Sequence, residues 1–291
     1  VIPYGAGFDE ERHLARIYYM SLYKFMPSFP NATIHKDVYD LSYQRRFVQT
    51  PAFDMFENET FFKRFGTREA DLRYGQKTQS IYSPAIFLPQ ALLGRALWWK
   101  FDFPILPTII LQRVAGLLIY VAAAFAAIRM IPFGKWILAA VALLPSASYQ
   151  AATLNADGFN NAVSFLFIAC VLSVYVSEKQ GIQKGSVWIL AGLSVLLGLA
   201  KPGAIVLLLL LLILLRHPFP SKSSILLLSV GIAISMAVNI GWWQLASQGS
   251  SYSDEGTQSL LRQTGSIFTD PIGFSGLLLQ RVILTFPSQL Q

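Results

Sequence analysis

Charge is scarce in this chain. Aspartate, glutamate, lysine and arginine make up 13% of its 291 residues, about half the ~25% of an ordinary soluble domain. With 54% hydrophobic residues and a mean hydropathy of +0.47, that deficit excludes a free-standing soluble domain. There is one cysteine, Cys170, inside an apolar run, so no disulfide framework exists. The three histidines show no metal-ligand spacing with Cys170, and there is no glycine-rich phosphate loop or Gly-x-Ser-x-Gly elbow. Zinc modules, P-loop nucleotide enzymes and α/β hydrolases are thereby excluded. The net charge of +7 does not point to nucleic acid, because the basic residues are scattered or sit beside apolar runs. Internal repeats and low-complexity linkers are also missing.

What is present is long apolar sequence. "IILQRVAGLLIYVAAAFAAI" (109–128), "FNNAVSFLFIACVLSVYV" (159–176) and "ILLLSVGIAISMAVNIGWW" (225–243) approach the ~20 residues that cross a ~30 Å hydrocarbon core. The expected fold class is an all-α polytopic membrane protein, multi-pass in the inner or plasma membrane. Residues 1–83 are different: they hold 10 of the 16 acidic and 11 of the 23 basic residues, and no run long enough to span. Shorter apolar segments fall at 84–99, 136–150, 186–200 and 203–215. The start at "VIPYG" and the stop at "FPSQLQ", just after the apolar 274–286, read as cuts in a larger protein.

Basic residues mark the cytoplasmic connections. Arg129 and Lys135, Lys179 and Lys184, and Arg216 and Lys222 bracket three short loops. The alternate connections are poorer in basic residues, and the stretch after Trp243 opens with Asp254 and Glu255. Parity then puts residues 1–83 and 100–106 on one outer face, so 84–99 is expected to lie in or dip into the outer leaflet without crossing. The expected organisation is a first extracytoplasmic loop with juxtamembrane helices at 1–106, a transmembrane helix bundle at 107–243, and at 244–291 an extracytoplasmic loop leading into a further apolar segment. One ambiguity is "ILAGLSVLLGLAKPGAIVLLLLLLILL" (189–215), which reads either as one helix kinked at Pro202 or as a hairpin. The basic loop that follows it favours the hairpin. Tyr82 and the pairs Trp98–Trp99 and Trp242–Trp243 suit an interfacial belt.

Four groups could carry chemistry. In "GFDEERHLAR" (7–16), Asp9, Glu10, His13 and Arg16 have helical spacings that let them share a face. The competing reading is a salt-bridged surface helix with Asp9 as N-cap. Asp157 lies in the polar turn "SYQAATLNADGFNN" (148–161), either as a site acid or as the cap of the next helix. Lys201 stands between two very apolar runs, where it can hold a phosphate or simply snorkel. Arg113, with Gln112, falls about two turns inside an apolar span. Burial of an arginine there costs ~2.5–3.5 kcal/mol, so it needs a polar surrounding. All four fall at one predicted membrane face. A carboxylate to act as general base and cations to hold a leaving phosphate are what an enzyme of phosphate-linked lipids needs.

"GFDEERHLAR", "YSPAIFLPQALLGRAL" (82–97), "LPSASYQAATLNADGFNNAVSF" (144–165) and "GLAKPGAIVLLLLLL" (198–212), in this order, resemble a bacterial family of predicted membrane proteins with a domain of unknown function, DUF2142. That family in turn is similar to the GT-C glycosyltransferases, membrane enzymes that take sugars from polyprenyl-phosphate donors. The resemblance implies a GT-C-like helix bundle with a long first extracytoplasmic loop carrying juxtamembrane helices. It implies Asp9 or Glu10 as the first-loop acid, acting as base or metal ligand, with a divalent metal ion as a candidate cofactor. Asp157 would be the second-loop acid. Lys201, with Arg113, would hold phosphate, and His13 and Arg16 are carried along as substrate-binding positions. The implied partners are membrane lipid, a polyprenyl-phosphate-linked sugar and a glycan or lipid acceptor, with no nucleic acid. The competing functions are a transporter or lipid-handling protein and a non-catalytic member of an envelope assembly.

Overall fold

The computed structural model describes residues 9–26, 33–35, 37, 59–65, 72–74, 81–177, 182–216 and 221–248, together with positions 269, 270, 273, 275 and 276. Residues 1–249 form one compact unit and 250–291 another. The expected acidic opening at Asp254 and Glu255, and most of the apolar run after 274, lie outside the described residues. Helix α1 is Glu10–Ser21, and α2 is Leu88–Gly94, preceded by a 3₁₀ turn at Pro84–Phe87 and followed by a π-helical turn at Arg95–Lys100. Then come α3 (Ile105–Met130), α4 (Lys135–Ala142), α5 (Pro145–Ala151), α6 (Ala156–Val176) and α7 (Lys184–Leu199). A 3₁₀ helix, Pro202–Arg216, and α8, Lys222–Gln248, complete the unit. Two three-residue strands, Thr33–His35 and Leu72–Tyr74, pair antiparallel and leave the all-α class intact.

Prolines punctuate the apolar sequence. A residue before proline is pushed out of the helical region. Ile131 before Pro132 is extended at ψ 129° and ends α3, and Leu144 before Pro145 has ψ 138° and separates α4 from α5. The apolar segment expected at 136–150 is therefore two short helices. Gly134, at φ 70°, makes the turn into α4 in a conformation that suits glycine.

Side-chain pairings show the direction of each segment. Tyr120 and Ala124 of α3 cluster with Ala162 of α6, and Ala127 and Ile131 with Ala169, so α3 and α6 run parallel. The chain returns between them: Leu138 packs at the level of Ala127, and the Tyr120 hydroxyl donates to the Ala142 carbonyl at 2.7 Å. Helices α7 and α8 also run parallel, with Ala191 against Gly231 and Asn239 Nδ2 donating to the Gly198 carbonyl at 3.0 Å. The 3₁₀ helix between them must then run backwards, so 189–215 is a hairpin broken at Lys201. At ~2.0 Å per residue a 3₁₀ helix carries these 15 residues over roughly 30 Å, whereas an α-helix would reach only about 22 Å. Helices α3, α6 and α8 are long and apolar enough to cross a membrane.

The connections sort to two ends of the bundle. One end holds α1, residues 81–104, the turn 152–155, the break at 200–201 and the last turns of α8. The other holds Arg129, Lys135, Lys184 and Lys222, all exposed, and no carboxylate among the described residues. The segment 84–100 lies along the first turns of α3: Gln112 Nε2 donates to the Gln90 carbonyl at 3.0 Å, and Gly94 packs on Gln112 and Trp98. Helix α1 is no surface helix. His13 to Ser21 are buried, and Leu14, Ile17 and Tyr18 share a core with Phe87, Trp98, Ile109 and Leu154. Trp98 is 2% exposed and Trp99 stacks on Phe65 at 5.0 Å, so this pair belongs to that core rather than to an interfacial belt.

Candidate functional site

The acids at the start of α1 have different fates. Consecutive helical residues point about 100° apart, so only one of Asp9 and Glu10 can face the bundle. It is Glu10, with no exposed surface. Its Oε1 accepts from Arg113 Nε at 2.7 Å and from the Leu154 backbone N–H at 3.0 Å, and its Oε2 accepts from Arg113 Nη2 at 2.6 Å. This bidentate geometry is the strong form of the charge-assisted hydrogen bond. It ties together α1, α3 and the turn before α6, and it supplies the polar surrounding that Arg113 needs.

Asp9 faces outward, its side chain 48% exposed and 3.4 Å from Arg12. It does not cap the helix with its carboxylate; its carbonyl accepts from the Arg12 and His13 amides instead. Its backbone is left-handed, at φ 51° and ψ 23°, a region that aspartate tolerates better than most residues. The expected cap is thus corrected: Asp9 closes the start of the helix through its backbone, and its carboxylate lies beside Arg12.

Asp157 is not the cap of α6 either. Asn155 is, accepting from the Asp157 amide with its side chain. Asp157 sits in the first turn, where the helix dipole favours an anion, and its Oδ1 meets Lys201 Nζ at 2.5 Å. Lys201 is brought there by the extended break at Ala200, and its ammonium also lies 5.1 Å over the Tyr82 ring. Tyr82 stacks on His13 at 5.9 Å, and the Phe87 ring lies 5.3 Å from the same imidazole. Residues from four separate stretches therefore meet: His13, Tyr82, Asp157 and Lys201. Ala200 and Pro202, the chain neighbours of Lys201, line a small, largely apolar cleft with Ile81, Trp242, Trp243 and the polar Ser83 and Asn239.

Arg16 goes elsewhere. It is 1% exposed, donates through Nη2 to the Phe25 carbonyl at 2.5 Å and lies 5.7 Å over the Trp242 ring. Burial lowers its guanidinium to about 10, so it remains charged at neutral pH. It anchors the exit of α1. Sequence reasoning missed Tyr82 as a bridge, having assigned it to a belt, and also missed His35, which sits beside Asp37, itself paired with Lys63 at 2.5 Å. The signal for the latter was only a His-x-Asp spacing.

Burial, then the neighbouring Lys201 and Arg12 cations, push His13 from 6.5 down to about 3. It is a neutral imidazole, and its Nδ1 has no hydrogen-bond partner among the described residues. A folded pKa below the unfolded one stabilises the fold above about 6.5, and that contribution is lost as pH falls towards 3. Between pH 6.5 and 5 the loss is about 2 kcal/mol. Thermal unfolding in nanodiscs is expected to fall more steeply with acidification in the native protein than in His13→Phe, which keeps the ring and removes the titration. Equal pH slopes would refute this account.

Among the described residues no three His, Cys, Asp or Glu side chains gather where they could hold a metal ion. Glu10 is closed by Arg113 and Asp9 stands beside Arg12, so among the described residues the divalent cation implied by the resemblance finds no donor set.

An apolar helical bundle with a charged, aromatic-lined site gathered at one end defines a membrane protein with an end-on polar site. The chain belongs to the family described as Predicted membrane protein (DUF2142), whose profile matches residues 1–290. No curated protein and no solved structure matches it.

Proposed function

We propose that this protein is an integral membrane glycosyltransferase that moves a sugar from a polyprenyl-phosphate donor to an envelope glycan or lipid. One observation carries the reading: the Lys201 ammonium, paired with Asp157 and set over the Tyr82 ring, belongs to a residue whose chain neighbours Ala200 and Pro202 line a small, largely apolar cleft with Trp242. A cation next to apolar surface matches a lipid phosphate, whose head needs charge and whose tail needs hydrocarbon. The basic residues at the other end favour a cytoplasmic position for that end by the positive-inside rule, which supports a site on the outer face. Asp9 acts as general base on the acceptor hydroxyl. His13, being neutral, offers hydrogen bonding rather than charge to the phosphate, and Asp157 holds Lys201 until phosphate takes its place. A carrier would place ionisable groups near the midplane. Among the described residues the charges sit at the bundle ends, which favours the enzyme.

The Lys201–Asp157 pair is about 30% exposed, at 27% and 31%, so it contributes at most ~1 kcal/mol to stability and can be altered without unfolding. Binding of a short-chain polyprenyl phosphate is expected to weaken at least about tenfold in Lys201→Gln, the loss of one charged hydrogen bond. In Asp157→Asn it is expected to tighten, because the competing anion is gone. Unchanged affinity in both variants would remove the basis for the reading.

A further inference from the structure

Two glutamines that belong to sequence motifs, and that the phosphate site does not use, come together in the fold. Gln90 of the Pro-Gln element in α2 and Gln150 of the Gln-Ala element in α5 line one notch, with Thr153 and Asn155 from the turn before α6. No lining residue is charged, and Ile86 and Phe159 provide apolar walls. Gly116 on α3 opens the back: a Cβ there would stand 3.0 Å from Gln90 Nε2. The notch lies level with Gly116 and Ile119, one to two turns deeper along α3 than Arg113, where polar groups are costly unless they are partnered.

The hydrogen bonding of this notch is incomplete. Gln90 is only 9% exposed, and its Oε1 has no partner among the described residues. Gln150 Oε1 is taken, accepting from Asn161 Nδ2 at 3.3 Å, and the Asn155 Oδ1 is taken by the helix cap. Both engaged carboxamides use their oxygens, so what remains is amide hydrogens from Gln90, Gln150 and Asn155 and one orphan acceptor on Gln90. A group that both donates and accepts, and carries no charge, satisfies that set: a hydroxyl. Few placed polar groups within apolar walls are the ordinary make-up of a small-molecule site.

We propose that this notch, whose free space of about 20 Å³ admits one hydroxyl-sized group, takes one hydroxyl of an uncharged, membrane-dissolved sugar headgroup. It uses none of the residues of the phosphate site and stands or falls apart from it.

The test uses the full chain in nanodiscs, titrated with an alkyl glucoside and with a methyl-capped alkyl oxyethylene of equal chain length, which has no hydroxyl, read as a shift in melting temperature. A saturable shift with the glucoside alone is expected. Gln90→Leu and Gln150→Leu should each weaken it about threefold to tenfold, the value of one hydrogen bond. Gly116→Ala, which fills the notch from its opposite wall, should do the same if Gln90→Leu folds poorly. Lys201→Gln should leave glucoside affinity unchanged while weakening phosphate binding, so the two sites fail separately. Equal shifts with both amphiphiles, no saturable shift with the glucoside, or native affinity in the glutamine variants would overturn the proposal.

Discussion

Changing Glu10 to glutamine is expected to cost about 3–5 kcal/mol of stability, because it leaves the Arg113 guanidinium buried without its counter-charge. The whole protein is stabilised by only ~5–15 kcal/mol, so the variant should accumulate poorly in membranes and melt well below the native protein. The effect arises from the unpaired charge more than from the lost attraction. Arg113→Gln should be as damaging, since it leaves a buried carboxylate. The double variant Glu10→Gln with Arg113→Gln should therefore be more stable than either single one: it removes both charges, and a glutamine oxygen at position 10 can still accept from the Leu154 amide. Thermal melts of the four proteins form a double-mutant cycle that measures the pair. Additive losses would show that Glu10 and Arg113 are not coupled.

Asp9→Asn is expected to do the opposite: stability unchanged and sugar transfer reduced about 10²–10⁴-fold, the usual worth of a general base. Asparagine tolerates the left-handed backbone at this position at least as well as aspartate. The pair with Arg12 is too exposed, at 33% and 48%, to contribute more than ~1 kcal/mol. The measurement is transfer from a polyprenyl-phosphate donor by membranes carrying matched amounts of each protein. Full transfer by Asp9→Asn would refute its role as base. Glu10→Gln is no useful comparison for this purpose, since its loss of fold would masquerade as loss of chemistry. Neighbours in sequence, the two acids are separated by what they touch.

Much of the architecture is legible from residue order. Apolar runs approaching 20 residues mark α3, α6 and α8 because hydrocarbon thickness sets their length. Prolines at 132, 145 and 202 mark their breaks because proline restricts the residue before it. The gathering of Asp157, Lys201 and His13 at one end was also legible, through connection charges and parity alone. Arg113 was recognisable as a residue needing a partner, because an arginine inside an apolar run is costly anywhere.

Which partner it has could not be read there. Both Asp9 and Glu10 fit the helical spacing, and only the packing of α1 against α3 turns Glu10 inward and Asp9 out. The same holds for Arg16, whose spacing suits His13 but whose side chain is drawn to the Phe25 carbonyl and the Trp242 ring. It holds for the caps as well, since Asn155 and Asp157 are chemically equal candidates until the backbone of the turn chooses one. The sequence by itself determined the segments, their breaks and the end of the bundle where polar residues belong, since these depend on local solubility and backbone sterics. Only the tertiary structure decided the direction of each side chain at that end, and with it the Gln90–Gln150 notch, because such contacts join stretches with no spacing relation along the chain.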